Sequence, residues 1–144
     1  MANAIYNSFL RDIQNGSIDL DTDTIKMMLV TSAYVPNIDT HTKRSDVTNE
    51  VSGAGYTAGG FTLAGKTVTQ NNTTNQGVFD ADDIVAPNIT LTDCAGAVLY
   101  KSRGGASSAD ELITYLEFPS PVTMTNGNFT IPFNVNGILT LGQI

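Results

Sequence analysis

The sequence predicts a mainly β domain: an antiparallel β-sandwich, or a barrel-like relative of one, with a single N-terminal α-helix. Three observations carry that expectation. Short apolar segments alternate with turn residues at the roughly 8–12-residue spacing of sandwiches and barrels. Charged residues make up only 15% of the chain, against about 25% in ordinary domains. Thr, Asn, Ser and 13 glycines stand in their place, a mixture that suits many turns and surfaces meant to be covered. Helical periodicity occurs once, near the N-terminus. The 144 residues read as one domain, 1–144, large enough to build a core without disulfides or metal.

The helix is expected over residues 3–14. Ile5, Phe9 and Ile13 recur at i+4 and Leu10 widens the stripe, while Asn7, Arg11 and Gln14 would face water. Asn3 is the expected N-cap, and Asn15-Gly16 the stop. Residues 24–31 (TIKMMLVT) read as a buried strand, although Met27, Met28, Leu29 and Val30 break strict alternation. Residues 33–60 read as a long loop with a short excursion at 47–51. A loop of that length in a small domain is usually functional or held by a partner. Phe61, Leu63 and Val68 mark a strand with a bend at Gly65, and residues 70–76 (QNNTTNQ) a polar turn. Residues 84–91 form a strand that Pro87 should interrupt or confine to an edge. A turn follows at 93–96, a strand at 97–101 and a loop at 104–110. In 112–118, Leu112, Thr114, Leu116 and Phe118 share one face, and Ile113, Tyr115 and Glu117 the other. Asn126-Gly127 has the signature of a two-residue type I′ hairpin. It would pair Met124 with Phe129 and Val122 with Ile131. A last strand at 137–141 would close the sheet.

Charge excludes some partners. The net charge is −7 with only seven basic residues, too few to neutralise a run of phosphates or an anionic membrane surface. The opening residues lack the basic and apolar regions of a signal peptide. The apolar runs are too short to span a bilayer. Cys94 is the only cysteine, so no internal disulfide forms. A protein made in a reducing cytoplasm is expected.

No residue pattern points to catalysis, and no cofactor motif is present. His41, the only histidine, lies in a polar loop without a nucleophile elbow. Cys94 follows Asp93 and has no adjacent cation to activate it. Asp19, Asp21 and Asp23 would share one face of a strand and form the one weak metal candidate. They miss the EF-hand pattern, since its glycine and final glutamate positions hold Thr24 and Val30. Asp80, Asp82 and Asp83 form a second acidic cluster, read as a solvated turn. The glycines at 53, 55, 59 and 60 match no phosphate loop. Asn71, Asn72, Asn88 and Asn128 match N-x-S/T by composition alone.

The segment 1–69 resembles a family of small tailed-bacteriophage virion proteins, of head decoration or cement type. Three pieces carry the resemblance: the opening MANAIYNSFLRDIQNGSIDLDTDTIKMMLVTSAYVPNIDTHTKRSDV, the glycine-rich VSGAGYTAGG at 51–60, and residues 63–69 with the later DADD at 80–83. The C-terminal half is similar only in being β-rich. The resemblance implies a capsid-binding β domain on the outer surface of the shell. The major capsid protein would be its partner, and a dimer or trimer its assembled form. Loop 33–60 is the expected contact, through Lys43, Arg44, Gly53, Gly55, Tyr56, Gly59 and Gly60: the glycines would permit close backbone approach and the two cations would meet acidic groups. A tail tube, terminator or adsorption protein is the alternative within the virion. A glycan-binding or hydrolytic domain using Asp80 with Asp82 or Asp83 is the remote one.

Overall fold

The computed structural model describes residues 3–143. Its elements are β1 (Ala4–Ile5), α1 (Asn7–Gln14), β2 (Ile25–Thr31), β3 (Phe61–Thr62), β4 (Thr67–Asn71), β5 (Gln76–Asp80), β6 (Ile84–Lys101), β7 (Leu112–Ile131) and β8 (Leu139–Gly142). They form two antiparallel sheets, ordered β1-β7-β6-β2-β3 and β4-β5-β8. The fold class is the one expected: mainly β, sandwich-like, with one N-terminal helix.

The unbroken apolar run in β2 follows from burial on both faces. Ile25, Met27 and Leu29 join the main core with Phe9, Leu99 and Ile113. Met28 and Val30 point the other way, into a second cluster with Tyr6, Tyr34, Val98, Tyr100, Leu112 and Tyr115. The long loop covers that second face, contributing Tyr34 and packing Val47 against it. It is irregular but tied down. Lys43 bridges to Glu111 and Val30 to Glu50, and the Val51 amide donates to the Leu29 carbonyl at 3.0 Å. The main core continues into the smaller sheet through Phe79 and Leu139.

The helix begins at Asn7 instead of Asn3. Residues 4 and 5 are drawn into the large sheet, where Ala4 pairs with Tyr115 and Ile5 with Thr114. Asn3 caps no helix; its side-chain oxygen accepts the Glu117 amide at 2.8 Å. Tyr6 takes the N-cap position with extended backbone. The amphipathic pattern holds in part: Phe9 is buried, Ile13 packs against the core, and Asn7, Arg11 and Gln14 are exposed or half-exposed at the surface. Leu10 does not widen the stripe; it is 40% exposed, and Ser8 and Asp12 are buried instead.

The expected hairpin at Asn126-Gly127 does not form. β7 runs straight through it and pairs with β6, setting Ala86 opposite Phe129, Ile89 opposite Gly127 and Leu91 opposite Met124. A type I′ turn needs positive φ at both central residues. Asn126 has it, at 48°, and Gly127 does not. Asn126 is a bulge instead, its amide donating to Thr90 Oγ1 at 3.0 Å. The long ladder with β6 satisfies the backbone of the whole segment and buries Phe129 and Ile131 in the main core.

The expected turn at 93–96 is likewise part of a strand. Asp93 bulges with φ 53°, and its carboxylate accepts the Ser32 hydroxyl at 2.6 Å. Pro87 is exposed at a third bulge, beside Asn88 with φ 55°, a place where a strand tolerates proline. The ladder also slips between Leu99 and Tyr100. Leu112 therefore shares the second cluster with Tyr115 rather than the face of Leu116. β3 and β4 split the expected strand at Gly65, and β8 closes the smaller sheet on β5.

Candidate interaction surface

Loop 33–60 turns its adhesive groups inward. A Cβ on Gly53 would overlap the Thr90 carbonyl oxygen, one on Gly55 would overlap that of Asn88, and one on Gly60 that of Met27. The close approach these glycines allow is to the chain's own strands. Gly60 also needs its φ of +81°. The Tyr56 hydroxyl donates to Glu50 Oε1 at 2.8 Å and accepts the Leu29 amide at 3.0 Å. Burial, with Glu50 alongside, pushes that phenol well above its ordinary range. The Gly59 amide donates to the same Glu50 oxygen at 2.7 Å, and its carbonyl accepts the Tyr100 hydroxyl.

The two cations of the loop are also paired internally. Arg44 Nε lies 2.8 Å from Asp110 Oδ2, and its guanidinium stands 5.1 Å above the Tyr100 ring. Lys43 Nζ lies 3.5 Å from Glu111 Oε1, which Arg103 also holds at 2.7 Å. Burial raises the Glu111 carboxyl, but the Arg103 hydrogen bonds and the Lys43 charge outweigh it, so Glu111 titrates below the ordinary range. These ion pairs clamp the loop to the segment between β6 and β7.

His41 belongs to a hydrogen-bonded chain. Tyr6 and Tyr34 share a hydroxyl contact of 2.7 Å, and the Tyr34 hydroxyl lies 3.0 Å from His41 Nδ1. The Tyr34 and His41 rings stack at 5.8 Å. Nearby, the Thr42 and Lys43 amides converge on Asp46 and hold its carboxyl below the usual range.

Asp19, Asp21 and Asp23 are not on a strand face. They lie in a turn closed by the Asp23 amide on the Asp19 carbonyl at 2.9 Å. Asp19 Oδ1 accepts the Asp21 amide at 3.0 Å, and Asp23 Oδ2 accepts the Asp19 amide at 2.7 Å. Lys101 Nζ sits 2.8 Å from the same Asp23 oxygen. Among the described residues no three His, Cys, Asp or Glu side chains are grouped to hold a metal. In the second acidic cluster, Asp80 accepts the Ala81 amide and Asp83 the Phe133 amide. Cys94 is fully buried, and burial with the Asp93 charge pushes its thiol up to about 12.

What is exposed and unsatisfied lies elsewhere. Between Gly96 opposite Glu117 and Cys94 opposite Val122, the segment Phe118-Pro119-Ser120-Pro121 bulges out of the ladder, since prolines donate no ladder hydrogen bond. A groove of about 720 Å³ opens beside it, lined by Phe118, Val122, Phe129, Phe133 and Ile138 among others. A second groove, of about 700 Å³, flanks the bulge and reaches Tyr34 and Val35. None of Asp80, Asp82 and Asp83 lines either groove.

This end of the molecule is nearly free of charge. Residues 67–79 carry none, and neither does any residue after Glu117. Most acidic and basic side chains therefore lie on the inner half of the large sheet, its loops and the base of the small sheet; the exceptions are Asp93 in β6, Asp83 at the Phe133 amide and Glu117, which lines both grooves. The charge-free run after Glu117 is readable in the sequence and marks most of the groove residues, which carry no catalytic or loop motif. No protein-family model, curated protein or solved structure matches this chain.

Proposed function

We propose that the chain is a structural coat domain of the head-decoration type its first half resembles. It would attach to the outer surface of a bacteriophage shell, with the major capsid protein as its partner. The carrying observation is an apolar groove of about 720 Å³, with Glu117 the one charged residue in its lining, beside a β7 edge that the N-terminal segment covers only from residue 113 to 117. An extended apolar segment of the shell protein would continue where β1 stops, adding its backbone to the β7 edge and its side chains to the groove. The acidic remainder would face solvent. Modest affinity per copy suffices, because contacts repeated over a lattice add in avidity.

The test is a cryo-EM reconstruction of the virion with this chain fitted into it. Icosahedrally repeated density on the outer shell, with the groove against the capsid protein, is the expected result. Density confined to the tail would replace the reading with a tail structural role. Absence from the particle would overturn both. Phe133→Glu, which puts a charge at the groove, should abolish binding to undecorated heads.

A further inference from the structure

We infer that β4 is a self-association edge, pairing antiparallel with β4 of a second copy about a two-fold axis near Thr69. Strand edges in soluble proteins are normally protected by charge, proline, a bulge or shortness. β1 and β3 are two residues long. The bulged β7 edge carries Pro119 and Pro121, and β8 is four residues long and ends in Gly142. β4 has none of these protections. It runs five residues without charge or proline, pairs with β5 without a register shift, and is exposed at every position. Among the described residues no hydrogen bond from another segment reaches its outer side. Lys66, the one neighbouring residue that could act as a guard, turns its ammonium back onto the Asp23 carbonyl.

The occupant follows from charge and symmetry. Two copies each carrying −7 repel over most of their surfaces, and like charges set face to face suppress association. The stretch 67–79 lets them meet without that cost, as do the residues after Glu117, but only β4 adds a regular, unguarded five-residue edge. An antiparallel strand is complementary to itself, so each outward N–H of one copy finds a carbonyl of the other. The register adds an apolar margin. Val68, opposite Phe79 and 50% exposed, lies on the same face as Leu141, which is 36% exposed and opposite Gly77. Gly77 leaves a shallow hollow beside them, where an added Cβ would meet only the Leu141 carbonyl oxygen, at 3.9 Å.

The experiment uses the purified full chain alone, so its outcome does not depend on capsid binding. Sedimentation velocity should show a monomer–dimer equilibrium. Thr69→Lys and Thr69→Asp each set like charges across the axis and should weaken dimerisation at least about tenfold, with far-UV circular dichroism unchanged. Mixing the two variants should restore the dimer. A wild-type chain that stays monomeric at about 1 mM would overturn the proposal. So would a Thr69→Lys variant that dimerises like wild type, or a mixture that stays monomeric while the wild type pairs.

Discussion

The two halves of the β6/β7 hairpin belong to one pair of strands, whose ladder is interrupted by bulges, and live in different environments. In the inner half, Gly96 to Tyr100 are buried at every position, because helix and main core lie on one face and the long loop on the other. In the outer half, Ile84, Ala86, Ile89 and Leu91 are buried, but between them Val85 is 66% exposed and Pro87 and Thr92 face out. The left-handed residues Asn88, Asp93 and Asn126 all fall in the outer half. The inner half has one ladder slip, at Leu99/Tyr100, and no left-handed residue from Gly96 to Tyr100, because side chains press on it from both sides. The outer half has one free face, so it can bulge, twist and present uncharged surface. Rigid support and adhesive surface are made from the same pair of strands.

The largest expected contrast is in core truncation. Leu99→Ala, in the inner half, should lose about 2–5 kcal/mol of stability, measured by urea unfolding. Val85→Ala, in the outer half, should change it by no more than about 0.5 kcal/mol. Equal costs would break the comparison.

Next comes a matched pair of glycines. A Cβ on Gly96 would stand 2.7 Å from the Tyr115 ring and 2.8 Å from the Leu116 carbonyl oxygen, and Gly96→Ala should cost about 1–3 kcal/mol. At Gly127 the nearest atom is the flexible Met124 sulfur, at 3.2 Å, so Gly127→Ala should cost under about 0.5 kcal/mol. A type I′ turn at that site would make the same change cost about 1–2 kcal/mol, so one variant also separates bulge from turn.

The inner half's ion pairs should respond to acid. Glu111 titrates below its ordinary 4.5 in the folded chain. The stability it contributes is complete above that value and drains away as pH falls through the folded-state value. Glu111→Gln should lose about 1.5 kcal/mol at neutral pH. Its stability should then fall less steeply than wild type on acidification below about pH 4.5. Parallel curves would remove Glu111 from the clamp.

The smallest effect reads the junction of the two halves. Cys94, with its thiol pushed up to about 12, should react with iodoacetamide at about pH 8 only as fast as the strands open. Rapid labelling of the native chain would show a junction looser than the ladder implies.

Much of this was legible in the chain itself. Periodicity located α1 and the first part of β7, and apolar runs located β2 and the ends of β6, because each residue's polarity reports whether it is buried. Gly53, Gly55 and Gly60 announced close backbone approach, and the charge-free stretches after Glu117 and around Thr69 announced where the surface turns neutral. Periodicity is silent about partners. Asn126-Gly127 is a turn signal because Asn accepts positive φ, and a bulge uses that same property; pairing with β6, some 38 residues earlier at Ile89, decided between them. Lys43 and Arg44 looked like free cations until the fold brought up Asp110 and Glu111 from 66 or more positions away. The double burial of β2 and the inward turn of loop 33–60 were decided in the same way. The sequence determined which groups must be buried, bent or left uncharged, since those are properties of single residues and their neighbours. Only the tertiary structure decided what each would meet, because that depends on strands that find one another across the whole chain.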